Sequence, residues 1–474
     1  MRNIIYGLSL ALPLLLSSAV YSAIRLPSII GSHMVLAQHS EVKLWGWSNP
    51  AEKITIYPDW DTVSYQVTAS SGAQWNVKIK TPAAGGPYRI RISGSSQIVL
   101  EDVLIGEVWL CGGQSNMQAN GMPGGLQIQQ SVAEAPRAVN TEIRFFYVPL
   151  STAEYPQDDL PGKWVVCSPE EMLHFSSIGY FFGKLLDSIL RIPIGLINAN
   201  WSGSPAETWT PAELINKDTT LTRACNQLKP TAWWPVIAGA AYNAMIFPLT
   251  RYSISGVIWY QGETNALTYR SYSYLLNTLI GSWRKAWEKD FPFYYVQIAP
   301  YAYGNKNIRS LLAEQQTKSL DYPLTGMAVI SDLVDDLHNI HPQDKKDVGY
   351  RLANLALTRT YRRAGLVSQY PFYRDFSVDQ DRILINIFNP GSSLVSRNGE
   401  PATFLIAGED RKFFPARAII KGNQLIVRSA EVKNPVAVRF GFGNTAVPNI
   451  FNTEGLPLNL FRTDDWEVDT SPEN

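Results

Sequence analysis

From residue 104 to residue 364 short apolar runs alternate with longer stretches whose apolar residues recur at helical spacing, and this rhythm restricts the fold more than any other feature. The first run is Val103-Leu104-Ile105-Gly106-Glu107-Val108-Trp109-Leu110. Ile178, Phe182, Leu185, Leu186 and Ile189 then mark a helix that leads into the strand Ile194-Gly195-Leu196-Ile197. A strand over 254–260 precedes a helix carrying Leu275, Leu276, Leu279, Trp283 and Trp287. A strand over 291–298, a helix near 311–320, a strand at 327–330 and a helix through Val348, Leu352, Leu355 and Ala356 complete the series. Strands separated by helices cover both sheet faces when they run parallel with crossovers on either side, so an α/β parallel sheet is predicted.

The flanking segments follow another period. Residues 24–103 carry short alternating runs such as Val42-Lys43-Leu44-Trp45 and Tyr88-Arg89-Ile90-Arg91-Ile92, punctuated by Gly, Pro, Asn and Ser, and predict an N-terminal β domain. Residues 365–474 return to that pattern with Arg382-Ile383-Leu384-Ile385-Asn386 and Leu425-Ile426-Val427. They predict a β-rich segment that either packs on the α/β core or completes the N-terminal β domain.

Residues 1–23 read as an export signal, with Arg2, an apolar run from Ile4 to Leu16 and small residues to Ala23. That run is too short to span a bilayer and no later segment is long enough, so no integral membrane span is expected in the mature chain. A periplasmic or secreted location follows. With 41 basic and 41 acidic residues the chain lacks the basic surplus of a nucleic-acid partner. Cys111, Cys167 and Cys225 are odd in number and lack metal-type spacing, so at least one thiol is unpaired or pairs between chains. Cys111 lies in an apolar strand pattern and is expected to be a small buried hydrophobe. Gly31-Ser32-His33-Met34, although it looks like an expression scar, is expected to be native sequence.

In open α/β sheets ligands bind beyond the carboxyl ends of the strands, so reactive residues just after strands matter most. Gly112-Gly113-Gln114-Ser115-Asn116-Met117 is a tight turn that lifts a serine hydroxyl off the sheet edge. Asn200-Trp201-Ser202-Gly203-Ser204 offers a backbone N–H at Gly203, and Gln261-Gly262-Glu263-Thr264-Asn265 offers a side-chain amide at Asn265. Of five histidines only His338 and His341 follow a late strand of the α/β section. A serine needs an imidazole to take its proton, and the oxyanion it forms needs ready-placed donors. Gln114 and Gln261, beside the two turns, are candidate substrate contacts.

In this order, Gly-Gln-Ser-Asn-Met at 113–117, Gly203, Gln-Gly-Glu-x-Asn at 261–265 and His-Pro at 341–342 resemble the sialate O-acetylesterase family of SGNH hydrolases. The likeness extends over nearly the whole mature chain, including Gly106-Glu107-Val108-Trp109-Leu110-Cys111 and Gly455-Leu456-Pro457. It implies a flavodoxin-like parallel sheet and Ser115 as nucleophile with His341 as base. The oxyanion hole it implies comes from the Ser115 and Gly203 N–H groups and the Asn265 side chain. The substrate would be an O-acetylated sialic acid or sialoglycan, cleaved through an acyl-serine without metal or cofactor.

One position departs from that pattern. The superfamily places an aspartate three residues before the catalytic histidine, where this chain has His338. Either Asp335 or Asp336 reaches in from an earlier position, or the site works as a Ser–His dyad, which is the expectation here. Two other readings remain at this stage: the same mechanism on acetylated xylan or another glycan, and a carbohydrate-binding protein without catalysis, to which 14 Trp lend some support.

Overall fold

The computed structural model describes residues 23–473. The export signal expected at 1–23 thus lies almost entirely outside the described residues. Strands β1 (Val35–Ala37), β2 (Glu41–Trp47), β3 (Lys53–Pro58), β4 (Tyr65–Thr68), β5 (Gln74–Lys80) and β6 (Gly85–Ser93) precede a long strand, β7 (Gln97–Gly113). β7 pairs antiparallel with β6 over its first half and parallel with two further strands over its second. The boundary expected between 103 and 104 therefore falls inside one continuous strand.

The central sheet adds β8 (Asn140–Tyr147), β9 (Trp164–Cys167), β10 (Ile194–Asn200), β11 (Gly256–Tyr260), β12 (Phe293–Val296) and β13 (Thr325–Ala328). Their order across the sheet is β13-β12-β11-β7-β10-β8-β9, parallel throughout except for β9. If β7, β10, β11, β12 and β13 are counted as first to fifth along the chain, their spatial order is 2-1-3-4-5, with β8 and β9 appended at one edge.

Alternate residues of each strand enter two different cores. Val108, Leu110, Val257, Trp259, Phe293 and Tyr295 pack on one side, with Leu275, Leu276, Leu279 and Trp283 of the helix Tyr272–Trp287. Trp109, Cys111, Ile258, Tyr260, Tyr294 and Val296 pack on the other, against the helices Ser177–Leu190 and Lys345–Leu355. This two-residue period is the pleat seen end on, and the helix on each face supplies its apolar stripe. Trp259 and Trp283 are fully buried, and truncating either to Ala is expected to cost about 3–5 kcal/mol. Cys111 is buried as expected, with its Sγ held close to Gly179.

The apolar residues of the N-terminal strands merge with the first of these cores. Gly31–Met34 is part of the fold: His33 Nδ1 lies 2.7 Å from Asp102 Oδ2, and Asp102 also accepts from Arg144. The C-terminal strands enclose a core of their own around Ile385, Ile406, Val427 and Phe440. They bond to the α/β part through Arg462 to Glu314 (2.9 Å) and Gln297 to Asn459 (2.8 Å). All three cysteines are free, and no helix among the described residues is long and apolar enough to cross a membrane.

Candidate active site

β7 is flanked by β10 on one side and β11 on the other, so the sheet's chain order reverses at its carboxyl end. That crevice is where an open α/β sheet receives a ligand. Gly113 closes β7 at φ +135°, and a Cβ there would lie 2.1 Å from the Tyr260 carbonyl oxygen, so only glycine lets β11 approach this closely. The Gln114 N–H donates to that carbonyl (2.9 Å), and Ser115 follows as the first residue of a single helical turn, Ser115–Gln118. Ser115 is 7% exposed, enough to meet a reactant only from one side.

The loop after β10 is laid beside this turn by two bonds: Trp201 N–H to the Gly113 carbonyl (3.1 Å) and Ser202 N–H to Gln118 Oε1 (2.7 Å). Gly203 has φ +73°, and its carbonyl accepts from Thr264 Oγ1 (2.9 Å). Among the described residues the N–H groups of Ser115 and Gly203 have no acceptor. Both are therefore free to meet a developing oxyanion.

The third expected donor is committed elsewhere. Asn265 is fully buried; its Oδ1 accepts from the Ala206 N–H (3.0 Å), which fixes the orientation of the amide. Its Nδ2 then donates to Glu207 Oε2 (2.8 Å) and Thr268 Oγ1 (3.2 Å), which leaves neither hydrogen for substrate. Gln261 is likewise enclosed, with its amide on Ser204 O and Asn265 Oδ1 and its Oε1 accepting from Tyr272. It supports the loop and cannot touch a sugar, contrary to the expectation. Gln114 Oε1 accepts from the Gly262 N–H (3.2 Å), so this side chain ties the two turns together.

Asn116, Glu263 and Lys345 have roles that sequence reasoning missed. Lys345, which can only donate, points Nζ at Asn116 Oδ1 (2.5 Å); Asn116 Nδ2 donates to Glu263 Oε1 (2.7 Å) and to the Ile340 carbonyl (3.1 Å). One carboxamide thus joins the residue after Ser115 to the residue before His341. Burial pushes the Glu263 carboxyl above its ordinary range, and it pushes Lys345 down to about 7 against the pull of Glu263, Asp335 and Asp344. Glu207, the acid beneath Asn265, is also raised by burial. Two of these residues lay inside quoted motifs, but nothing in the sequence showed their partners.

His341 is half-buried on an exposed loop. Its N–H donates to Asn339 Oδ1 (3.0 Å), Asp336 Oδ1 accepts from the His338 N–H (2.8 Å), and Asp335 Oδ1 accepts from the Gln343 N–H (3.3 Å). Both aspartates thus bond backbone N–H groups, and among the described residues no carboxylate bonds the imidazole. Burial, then the Lys345 ammonium, lowers the His341 pKa to about 4, so the ring is neutral and able to accept a proton at neutral pH. His338 is exposed and takes no part in the cluster.

Comparison with known proteins agrees with this geometry. A family described as carbohydrate esterase, sialic acid-specific acetylesterase, matches residues 105–358. Human sialate O-acetylesterase is 29% identical over 428 residues, 80% of each chain, and the rat protein is 28% identical over 77% of this chain and 78% of its own. The crystal structure of a novel carbohydrate acetylesterase from Xanthomonas citri superposes with a TM-score of 0.86 at 36% identity, covering 94% of this chain and all of that one.

Proposed function

Since the chain belongs to the sialic acid-specific acetylesterase family of carbohydrate esterases, we propose that it hydrolyses O-acetyl esters of a sialic acid through an acetyl-serine intermediate. The observation that carries this reading is the Asn116 bridge, which sets the serine turn and the histidine loop against one another beside two free backbone N–H groups. The 2-1-3-4-5 order supports the flavodoxin-like SGNH form of the sheet, with Ser115 at its switch point.

In this mechanism Ser115 Oγ adds to the acetyl carbonyl carbon while His341 takes the hydroxyl proton. The carbonyl oxygen becomes an anion held by the N–H groups of Ser115 and Gly203, donors already in place before reaction. Collapse breaks the bond to the sugar oxygen, which leaves with the proton from His341. Water, deprotonated by His341, then opens the acetyl-serine, and acetate and free enzyme result. Asn265 and Glu207 hold the donor loop, as positioning residues. His341 works without a carboxylate, in a dyad. The export signal expected at 1–23 supports a periplasmic or secreted location for this reaction.

The 36% identity to a protein described only as a carbohydrate acetylesterase, above the 28–29% to the mammalian sialate esterases, favours one second reading: the same chemistry on another acetylated glycan. Acetate release from O-acetylated sialic acid and from acetylxylan separates the two. Ser115→Ala and His341→Ala should each lower kcat by about 10⁴–10⁶-fold on whichever ester is cleaved. Release undiminished in Ser115→Ala would sink the whole reading.

A further inference from the structure

The tryptophans range from fully buried to almost fully exposed. Trp45, Trp75, Trp109, Trp209, Trp259 and Trp283 are fully buried, as core residues should be, whereas Trp233 is 80% exposed. A large apolar ring left in water is informative when it sits beside a reactive site. Two contacts place Trp233 and its neighbour there.

First, its carbonyl accepts from the indole N–H of Trp201 (3.1 Å), and Trp201 is the residue whose own N–H bonds the end of β7 at Gly113. Second, the ring of the next residue, Trp234, lies against Gly203: a Cβ on that glycine would come within 2.3 Å of it. The Trp234 ring is thus packed on the loop that carries the unpartnered Gly203 N–H.

Pyranose rings carry apolar C–H faces that stack on indoles, and their hydroxyls reach water around the edge. A half-solvated platform of this kind suits a sugar better than it suits a lipid chain, which needs enclosure. We infer that Trp234 and Trp233 form an aromatic platform leading away from the oxyanion donors. Trp234 lies under the acetylated sugar and Trp233 stacks on the sugar glycosidically joined to it. The enzyme then acts on acetyl groups of sugars still attached to a glycan, in preference to the free monosaccharide. This rests on the hydrolase reading above and deepens it.

The test compares kcat/KM for an O-acetylated sialic acid linked to lactose with that for the same acetylated sialic acid free, in wild type, Trp233→Ala and Trp233→Phe. Wild type should favour the linked substrate, and Trp233→Ala should erase about five- to tenfold of that preference through KM. Trp233→Phe should restore most of it. Val139→Ala, a change at a similarly exposed residue (72%) just before the amino end of β8, which runs parallel to β10, and so at the end of the sheet opposite the site, should leave the ratio at the wild-type value. A preference that is absent in wild type, or unmoved in Trp233→Ala, overturns the platform. If acetyl release still depends on Ser115 in that case, the hydrolase reading survives it.

Discussion

The two halves of the proposed active site are built in different ways. The serine half is a piece of the sheet: Gly113, Gln114 and the loop after β10 are locked by backbone bonds to Tyr260 and Gly113 and by the buried amides of Gln261 and Asn265. The histidine half is a surface loop shaped by the side chains of Asp335, Asp336 and Asn339, each accepting from a backbone N–H two to eight residues along. Nothing in that loop orients the imidazole directly. Its placement comes from outside, through the bond from Asn116 to the Ile340 carbonyl. Precision is therefore native to the serine half and borrowed by the histidine half.

Substitutions on the two sides should differ most in stability. At Gly113 an added methyl meets the Tyr260 carbonyl at 2.1 Å in a left-handed backbone, so Gly113→Ala should destabilise the fold by more than about 3 kcal/mol. His338→Ala, at an exposed loop position, should change stability by less than about 0.5 kcal/mol. Urea denaturation of the two variants measures both, and comparable losses would erase the contrast.

Asn116→Ala attacks the borrowed link. It leaves Lys345 and Glu263 without their shared partner and frees the Ile340 carbonyl, so the imidazole drifts from Ser115. A displacement near 1 Å costs on the order of 10²-fold, and kcat is expected to fall by about that factor while the acetyl ester still binds. A variant with wild-type kcat would show that the loop holds its own position.

How much of this was legible in the sequence follows the same division. Strands that alternate with helices, and the turns that end them, leave local marks: the glycines at 112 and 113, the apolar run before them, and the helix bearing Leu275, Leu279 and Trp283. β8 and β9 leave few. Asn140–Tyr147 begins with polar residues and carries Arg144, buried only because Asp102, 42 residues earlier, pairs with it. The roles of Asn265 and Gln261 were misjudged because the direction of a carboxamide is set by whatever meets it across the fold, here Ala206, Glu207 and Tyr272. The turns that leave the Ser115 and Gly203 N–H groups without an acceptor follow strand ends rich in glycine, a local mark, while their role as donors was implied by the family resemblance.

The charge around the base sharpens the contrast further. His341 is depressed to about 4 by burial and by Lys345, so its neutral form is already present well below neutral pH. kcat/KM, which follows the free enzyme, should rise with pH to a plateau with its half-height near pH 4, against about 6.5 for an unperturbed imidazole. Lys345→Met removes the neighbouring cation and should move that acid limb upward. It also takes the donor from Asn116 Oδ1, so kcat should fall by about tenfold. An acid limb that stays in place would mean that Lys345 does not act on the ring.

The smallest expected effect is the most telling about the base. In a Ser–His–Asp arrangement the acid fixes the imidazole tautomer and stabilises the imidazolium, and its amide replacement costs about 10⁴-fold in kcat. Here Asp335 and Asp336 accept from the N–H groups of Gln343 and His338, bonds that an asparagine oxygen also makes. No carboxylate is among the groups that set the His341 pKa, which burial and Lys345 lower, whereas a bonded carboxylate would raise it. The double variant Asp335→Asn, Asp336→Asn should therefore keep kcat within about threefold of wild type, with the acid limb unmoved. A fall approaching 10⁴ would mean that one of these acids turns onto the ring in the reacting enzyme. The histidine half would then carry its own orienting group, as the serine half does.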